Sequence, residues 1–160
     1  MNWKFWKKKT VYPRVCKMGW FGPEIKISEI KYRVLDRNLA GFPVWLKLER
    51  DFWVTLPFRV PNVKITPFIS FSNGRLWIQE GYEWDGASGP TLDTKSAILP
   101  SVVHDALYCI LKESKRKYFD REAADKFFYW LLRNEGMMWL RAKIWYRCVR
   151  IHGGSYIGEE

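Results

Sequence analysis

A histidine, an aspartate and a tyrosine lie close together in the second half of the chain, in the order His104-Asp105-Ala106-Leu107-Tyr108. His104 and Tyr108 are four residues apart, so a helix places both on one face. A buried imidazole needs partners for both ring nitrogens, and Asp125 on the next predicted helix can supply one. A carboxylate on one nitrogen fixes the tautomer and leaves the other as a base. We therefore predict that His104 is a base oriented by Asp125, with Tyr108 on the same face of the helix.

A second group of oxygen ligands precedes this helix. Asp105 lies about 100° around the helix from His104 and should point toward the segment 82–92, which contains Asp85 and Gly86. Carboxylates and backbone carbonyls are the ligands that Ca²⁺ prefers. These residues therefore predict a calcium site at Asp85, Gly86 and Asp105. The alternative is that His104 is a core histidine with satisfied hydrogen bonds and that Asp105 caps a helix or pairs with an arginine.

The half of the chain before these residues is predicted to form strands. Residues 11–84 are rich in β-branched and aromatic residues and are interrupted by Pro and Gly. Asn73-Gly74 predicts a tight hairpin turn, with the strands 63–66 and 76–79 on either side. Three more strands are predicted at 24–35, 42–48 and 51–60.

Residues 95–152 are predicted to form three helices. The first should start near Pro100-Ser101, because Pro is tolerated in a first turn and Ser can cap a helix. Asp120 is a suitable N-cap for the second. The third should run over 137–151 and end at Gly153-Gly154. Strands followed by helices make the predicted fold class α+β.

The composition indicates one domain with a basic surface. The 160 residues carry a formal net charge of +10 and include ten Trp. We expect a single domain at 11–160, preceded by a basic aromatic tail at 1–10. The charge favours phosphate-bearing or acidic partners, and the many tryptophans predict that some lie at an interface. Three widely spaced cysteines form neither a disulfide framework nor a zinc pattern.

Residues 50–155 resemble a family of small, functionally uncharacterised proteins of tailed bacteriophages and prophages. The shared features are an Asp-Gly-Ala-Ser segment at 85–88, a His-Asp-x-Leu-Tyr helix at 104–108 and an Asp on the following helix, Asp125. This resemblance implies a protein made in the host cytoplasm and then incorporated in the virion, in a tail, connector or capsid. Its partners would be other particle proteins, and an oligomer is compatible with that role. We find no signal peptide or transmembrane-length apolar run in the sequence, so we do not expect secretion by a signal peptide.

The same motifs are similar to those of bacterial secreted phospholipases A-two, which implies a phospholipase-like three-helix core. By that similarity His104 would be the base, Asp125 its orienter, and Tyr108 a support for the two. Asp105, Asp85 and loop carbonyls would hold calcium. This chain departs from the phospholipases at Ala87, where they have a Cys, and it has no Cys directly before His104. The disulfide that ties their loop to the helix is therefore absent.

Three functions are compatible with these features. The first is a calcium-dependent lipid esterase that docks on anionic membrane lipid through basic and aromatic residues. The second is a structural or interaction protein of the phage particle that keeps the helical core without turnover. The third, a nucleic-acid binder, is the least favoured because no recognised reading motif supports it.

Overall fold

The computed structural model describes residues 10–20, 22–41, 43–86 and 95–159. These residues form strands followed by helices, so the predicted α+β class is confirmed. The strands are β1 (Arg14–Lys17), β2 (Glu24–Ile27), β3 (Tyr32–Arg37), β4 (Pro43–Leu48), β5 (Phe52–Thr55), β6 (Val63–Lys64), β7 (Ile69–Ser72), β8 (Arg75–Ile78) and β9 (Glu83–Trp84). The helices are α1 (Lys95–Glu113), α2 (Arg121–Asn134) and α3 (Trp139–Tyr156).

The strands form two antiparallel sheets that support the first helix. One sheet has the order β1-β2-β5-β8-β7-β6, and the other has the order β3-β4-β9. Alternate residues of a strand face opposite sides of a sheet, and in β5 the buried pair is Phe52 and Val54. These side chains belong to one apolar cluster that also contains Val102 and Ala106 of α1. The cluster fixes α1, and with it His104, on the β half of the chain.

The turn at Asn73-Gly74 is confirmed, but one of the two strands predicted to flank it is wrong. Both residues have positive φ, 51° and 73°, which is the conformation that a type I′ hairpin turn requires. The turn joins β7 to β8. The predicted partner at 63–66 contains only β6, which pairs with β7 instead. A two-residue turn pairs the segments directly before and after it, and that position belongs to β7.

Two other predicted strands are shorter than expected. The segment 24–35 divides into β2 and β3, which belong to different sheets. The division follows Ser28, whose N–H donates to the Trp53 carbonyl (2.9 Å) and whose hydroxyl accepts from the Trp53 N–H (2.8 Å). The segment 51–60 contains only β5, which ends before Pro57, a residue with no N–H to donate to a neighbouring strand.

The first helix is longer than predicted, and the second begins as predicted. α1 spans Lys95–Glu113 and contains Pro100, so the predicted start at that proline is wrong. Ala97 and Leu99 are buried on the N-terminal side of the proline, and this packing offsets its cost to the helix. At α2 the Asp120 side chain accepts from the Ala123 N–H at 2.7 Å, which confirms the N-cap.

The third helix begins and ends later than predicted. It starts at Trp139 and continues through Gly153 and Gly154 to Tyr156. A glycine inside a helix costs stability relative to alanine. Here Gly154 is buried, and Gly153 lies against Tyr108. Tertiary packing therefore overrides the stop signal that two glycines give in the sequence.

No helix among the described residues is long and apolar enough to cross a membrane. Several tryptophans are buried, such as Trp84 and Trp145, while Trp20, Trp45 and Trp139 are exposed. The predicted tail at 1–10 lies outside the described residues except for Thr10.

Candidate functional site

The predicted contact between His104 and Asp125 is present. His104 Nε2 lies 2.7 Å from Asp125 Oδ1, and the Tyr108 hydroxyl donates to the same oxygen at 2.7 Å. Phe128, one turn after Asp125 in α2, packs on the His104 ring with 4.4 Å between ring centroids. Residues later in α2 therefore contact residues earlier in α1, which means that the two helices are antiparallel. The packing of the two helices holds the His104 ring between Asp125 and Phe128.

Asp125 has two further partners, both arginines. Arg150 of α3 donates to Oδ2 at 2.8 Å, and Arg121, one turn earlier in α2, lies 3.5 Å from the same oxygen. Burial by itself raises the pKa of Asp125, which is fully buried. The hydrogen bonds from His104, Tyr108 and Arg150 outweigh that effect, so the pKa of Asp125 lies below its usual range. The carboxylate is therefore charged at neutral pH. It accepts hydrogen bonds from α1 and α3 and lies near Arg121 of its own helix.

The ionised Asp125 fixes the protonation pattern of His104. A carboxylate has only acceptor oxygens, so His104 Nε2 carries the proton in this contact. Whenever the ring carries a single proton, Nδ1 therefore keeps its lone pair. The His104 side chain is still 12% exposed and lines a cavity, so a water in the cavity can approach the ring.

Arg121 also ties α2 to the second half of α3. Its guanidinium donates to the carbonyls of Val149 and Arg150 at 3.2 and 3.0 Å and to the Glu159 carboxylate at 2.6 Å. One turn later, a methyl group at Gly153 would overlap the Tyr108 hydroxyl. The close approach of α3 to α1 therefore requires a glycine at that position.

Asp105 has a different environment from Asp125. The Tyr82 hydroxyl donates to Asp105 Oδ2, and Asp105 lines the same cavity as Asp85. Burial raises the pKa of Asp105, the hydrogen bond from Tyr82 lowers it, and the negative charge of Asp85 raises it again, so that the net shift is upward. Burial also raises the pKa of Tyr82, and the neighbouring Asp105 raises it further, which keeps the phenol protonated as a donor.

The site opens into a cavity of about 520 Å³. Five of the six residues predicted for the site line it, and Asp125 lies behind His104. The rest of the lining is mostly aromatic or apolar and comes largely from α2 and α3: Ser101, Phe128, Trp145, Cys148, Val149, His152, Gly153 and Tyr156. An apolar wall beside a few convergent polar groups is typical of a small-molecule site.

The residues around Asp105 fit a hard cation in part. Asp85 and Asp105 are close enough for one charge to affect the other, and a divalent cation would relieve that repulsion. Among the described residues, no group of three or more His, Cys, Asp or Glu side chains could hold a metal. A calcium site here would therefore need carbonyl oxygens, such as that of Gly86, besides the two carboxylates. Ala87 and Ser88 of the Asp-Gly-Ala-Ser segment lie outside the described residues.

The sequence did not reveal every residue of the site. Arg121 is four residues before Asp125, so helical spacing could have indicated the pair. Tyr82 lies in the predicted loop but carries no motif. Arg150 and Gly153 depend on how α3 crosses the other two helices, and no spacing rule within a helix contains that information.

Comparison with known proteins places this site in a family. No curated protein and no solved structure matches the chain. One family, described as "Protein of unknown function (DUF1353)", matches residues 66–149. That region contains every residue predicted for the site, while Arg150 and Gly153 lie just beyond its end. Because the match covers more than half of the 160 residues, this chain belongs to the DUF1353 family.

Proposed function

We propose that this protein hydrolyses lipid esters, with His104 as the general base and calcium held near Asp105. The observation that carries the proposal is the pair of contacts on His104. One ring nitrogen is held by the ionised Asp125 at 2.7 Å, and the ring lines an apolar cavity. A fixed imidazole with one free lone pair beside a space for substrate is the arrangement that general-base catalysis needs.

The reaction of the chain's own residues begins with a water bound next to His104. Nδ1 takes a proton from that water while its oxygen bonds to the ester carbonyl carbon. The bond to the alcohol oxygen then breaks, and the imidazolium returns the proton to the leaving alcohol. Asp125 stabilises the imidazolium and keeps the ring oriented. No residue other than His104 has to take up or release a proton.

Calcium would contribute at the developing negative charge. Asp85, Asp105 and the Gly86 carbonyl would hold it, and a bound cation there would polarise the ester carbonyl and stabilise its oxygen. The apolar lining, which includes Phe128 and Trp145, favours an acyl chain over a polar substrate.

The proposed setting is a bacteriophage or prophage, with the protein in the virion. This part of the proposal depends on the motif resemblance at 85–88, 104–108 and Asp125. Other particle proteins as partners, a cytoplasmic site of synthesis and an oligomeric state remain predictions of the same origin.

The test compares the two histidines that line the cavity. His104→Ala should lower calcium-dependent release of fatty acid by about 10²- to 10⁴-fold, the usual contribution of a general base. His152→Ala is the matched control, since His152 lines the same cavity but is exposed, and it should keep activity within a few-fold. If the wild type releases no fatty acid from a broad ester panel while binding calcium, the enzymatic proposal is wrong.

A second candidate is a structural protein of the phage particle without catalytic activity. The observation that favours it is the number of partners on Asp125, which accepts from α1 and α3 and lies near Arg121 of α2. Such a network needs no catalytic role, because holding three helices together is enough to explain it. This candidate predicts that His104→Ala changes stability or particle assembly and that no ester is cleaved. Nucleic-acid binding remains a third and weaker prediction.

A further inference from the structure

The outward side of α3 carries exposed apolar side chains between basic ones. We define the α3 outer face as Leu140, Lys143, Ile144, Arg147 and Ile151, which are spaced so that they share one side of the helix. The three apolar members are 47%, 42% and 73% exposed, respectively. Lys143 and Arg147 are exposed as well. The described residues of the protein leave this side of α3 largely uncovered.

The residues at the start of α3 extend the apolar character of this face. Met138 and Trp139 are 62% and 56% exposed. Exposed apolar residues that are contiguous mark an interaction surface, whereas single ones are normal. Trp beside Leu and Ile, together with Lys and Arg, is the composition of a helix that lies in a membrane interface.

The charge of α3 selects among possible partners. The outer face carries the cations Lys143 and Arg147, and the helix contains no Asp or Glu, within a chain of net charge +10. A second copy packed on the same face would place like charges opposite each other. Lysine is also depleted at the centre of protein interfaces. An anionic bilayer satisfies both features, because its lipid phosphates attract the cations and its acyl region accepts Leu140, Ile144 and Ile151.

We propose that the α3 outer face docks the protein on an anionic membrane surface. Lys143 and Arg147 would extend their charged ends to the phosphates while the apolar side chains enter the headgroup boundary. The cavity is next to this face. Its lining includes Cys148 and His152, which directly follow Arg147 and Ile151 of the face in the sequence. Docking itself does not depend on the proposed hydrolysis, because vesicle binding needs no turnover.

The first test removes the apolar contacts. Flotation with phosphatidylglycerol vesicles should show binding of the full chain, and phosphatidylcholine vesicles should show little. The double variant Ile144→Asp/Ile151→Asp should lower the partition coefficient by at least about tenfold. Val11→Asp/Leu39→Asp is the matched control, since these residues are 80% and 110% exposed but lie outside α3, and it should bind nearly as well as the wild type.

The second test distinguishes binding through the α3 outer face from attraction by the net charge of the whole protein. Lys143→Glu/Arg147→Glu should weaken binding by about thirtyfold or more, since each cation near a membrane surface contributes substantially. Arg59→Glu/Lys64→Glu makes the same charge change at exposed positions of the β half and should have a smaller effect. Equal losses in both pairs would overturn the proposal in favour of attraction by net charge.

The remaining outcomes are also decisive. Both α3 variants should keep the circular dichroism and melting temperature of the wild type, because they replace exposed residues. If the α3 substitutions abolish self-association or capture of an acidic protein while vesicles are never bound, the face belongs to another chain and the membrane proposal is wrong. His104→Ala should bind vesicles like the wild type, so a failure of the proposed hydrolysis would leave this result unchanged.

Discussion

Asp125 and Asp105 are two carboxylates of one site whose surroundings act in opposite directions. Burial raises the pKa of each. At Asp125 this effect is reversed by donors on three sides, among them Arg150 at 2.8 Å. At Asp105 the Tyr82 hydroxyl lowers the pKa, but burial and the charge of Asp85 together leave it raised.

The fold therefore stabilises the negative charge of Asp125 but leaves the negative charge of Asp105 only partly compensated. Asp125 is compensated within the protein, so its removal should leave the donors of His104, Tyr108 and Arg150 without their acceptor. The negative charge at Asp105 is only partly compensated by the described residues, so a bound cation would stabilise it. Substitutions at these two carboxylates and at their neighbours should either remove this difference in charge compensation or enlarge it.

The largest effect is expected from Asp125→Ala. The substitution leaves His104, Tyr108 and Arg150 without their shared acceptor, and removing one partner of a buried charged network costs about 3–5 kcal/mol. Urea unfolding of the variant should show a decrease of that size in the free energy of unfolding. The control is Glu122→Gln, which breaks the exposed pair with Lys126 (2.7 Å) and should change the free energy of unfolding only slightly. If Asp125→Ala lowers the free energy of unfolding as little as the control does, the Asp125 charge is not stabilised by the fold as inferred.

The next effect concerns the glycine that lets α3 approach this network. Gly153→Ala places a methyl group in the space of the Tyr108 hydroxyl and ring, and we expect a cost of about 1–3 kcal/mol from the displaced packing. Gly154→Ala is the matched control, because its new methyl would meet Glu159 at an ordinary 3.4 Å. That variant should be neutral or more stable, since alanine favours a helix. Thermal unfolding of both proteins measures the difference.

A partial rescue would identify the cause. Removing the hydroxyl in Gly153→Ala/Tyr108→Phe should recover part of the lost stability. If Gly153→Ala alone is as stable as the wild type, the approach of α3 to Tyr108 is looser than the structure indicates.

The residues of this site also show what the sequence could and could not predict. His104, Tyr108 and Asp125 came from helical spacing and from the hydrogen-bonding needs of a buried imidazole, and both are local rules. Gly153 was misinterpreted as a helix stop, because its neighbour Tyr108 is distant in sequence. Arg150 could not be assigned to the site from the sequence, since only the packing of α3 directs it to Asp125.

The β half shows the same limit. The Asn73-Gly74 turn was predictable because its positive φ angles depend on two adjacent residues. The division of 24–35 between two sheets was not, because it depends on hydrogen bonds between Ser28 and the distant Trp53.

A smaller effect should appear in the pH dependence of stability. The pKa of Asp125 is lower in the folded protein than its unfolded value of about 3.9. The stability that this shift contributes is therefore present above about pH 4 and is lost as the pH falls toward the folded pKa. The difference in unfolding free energy between the wild type and Asp125→Asn should narrow in that acidic range, as measured by urea unfolding at a series of pH values. A difference that stays constant would show that Asp125 does not titrate as proposed.

The smallest effect, and the one that most sharpens the contrast, is expected from Asp105→Asn. The raised pKa of Asp105 means that its charge costs stability, and this cost is absent below its unfolded pKa and grows as the pH rises through the folded value. With calcium chelated at neutral pH, the variant should therefore melt roughly 2 °C higher than the wild type. Added calcium should raise the melting temperature of the wild type but not that of the variant. Glu49→Gln, an exposed change of the same charge, should keep the calcium response, and a variant less stable than the wild type under chelation would show that Asp105 is compensated like Asp125.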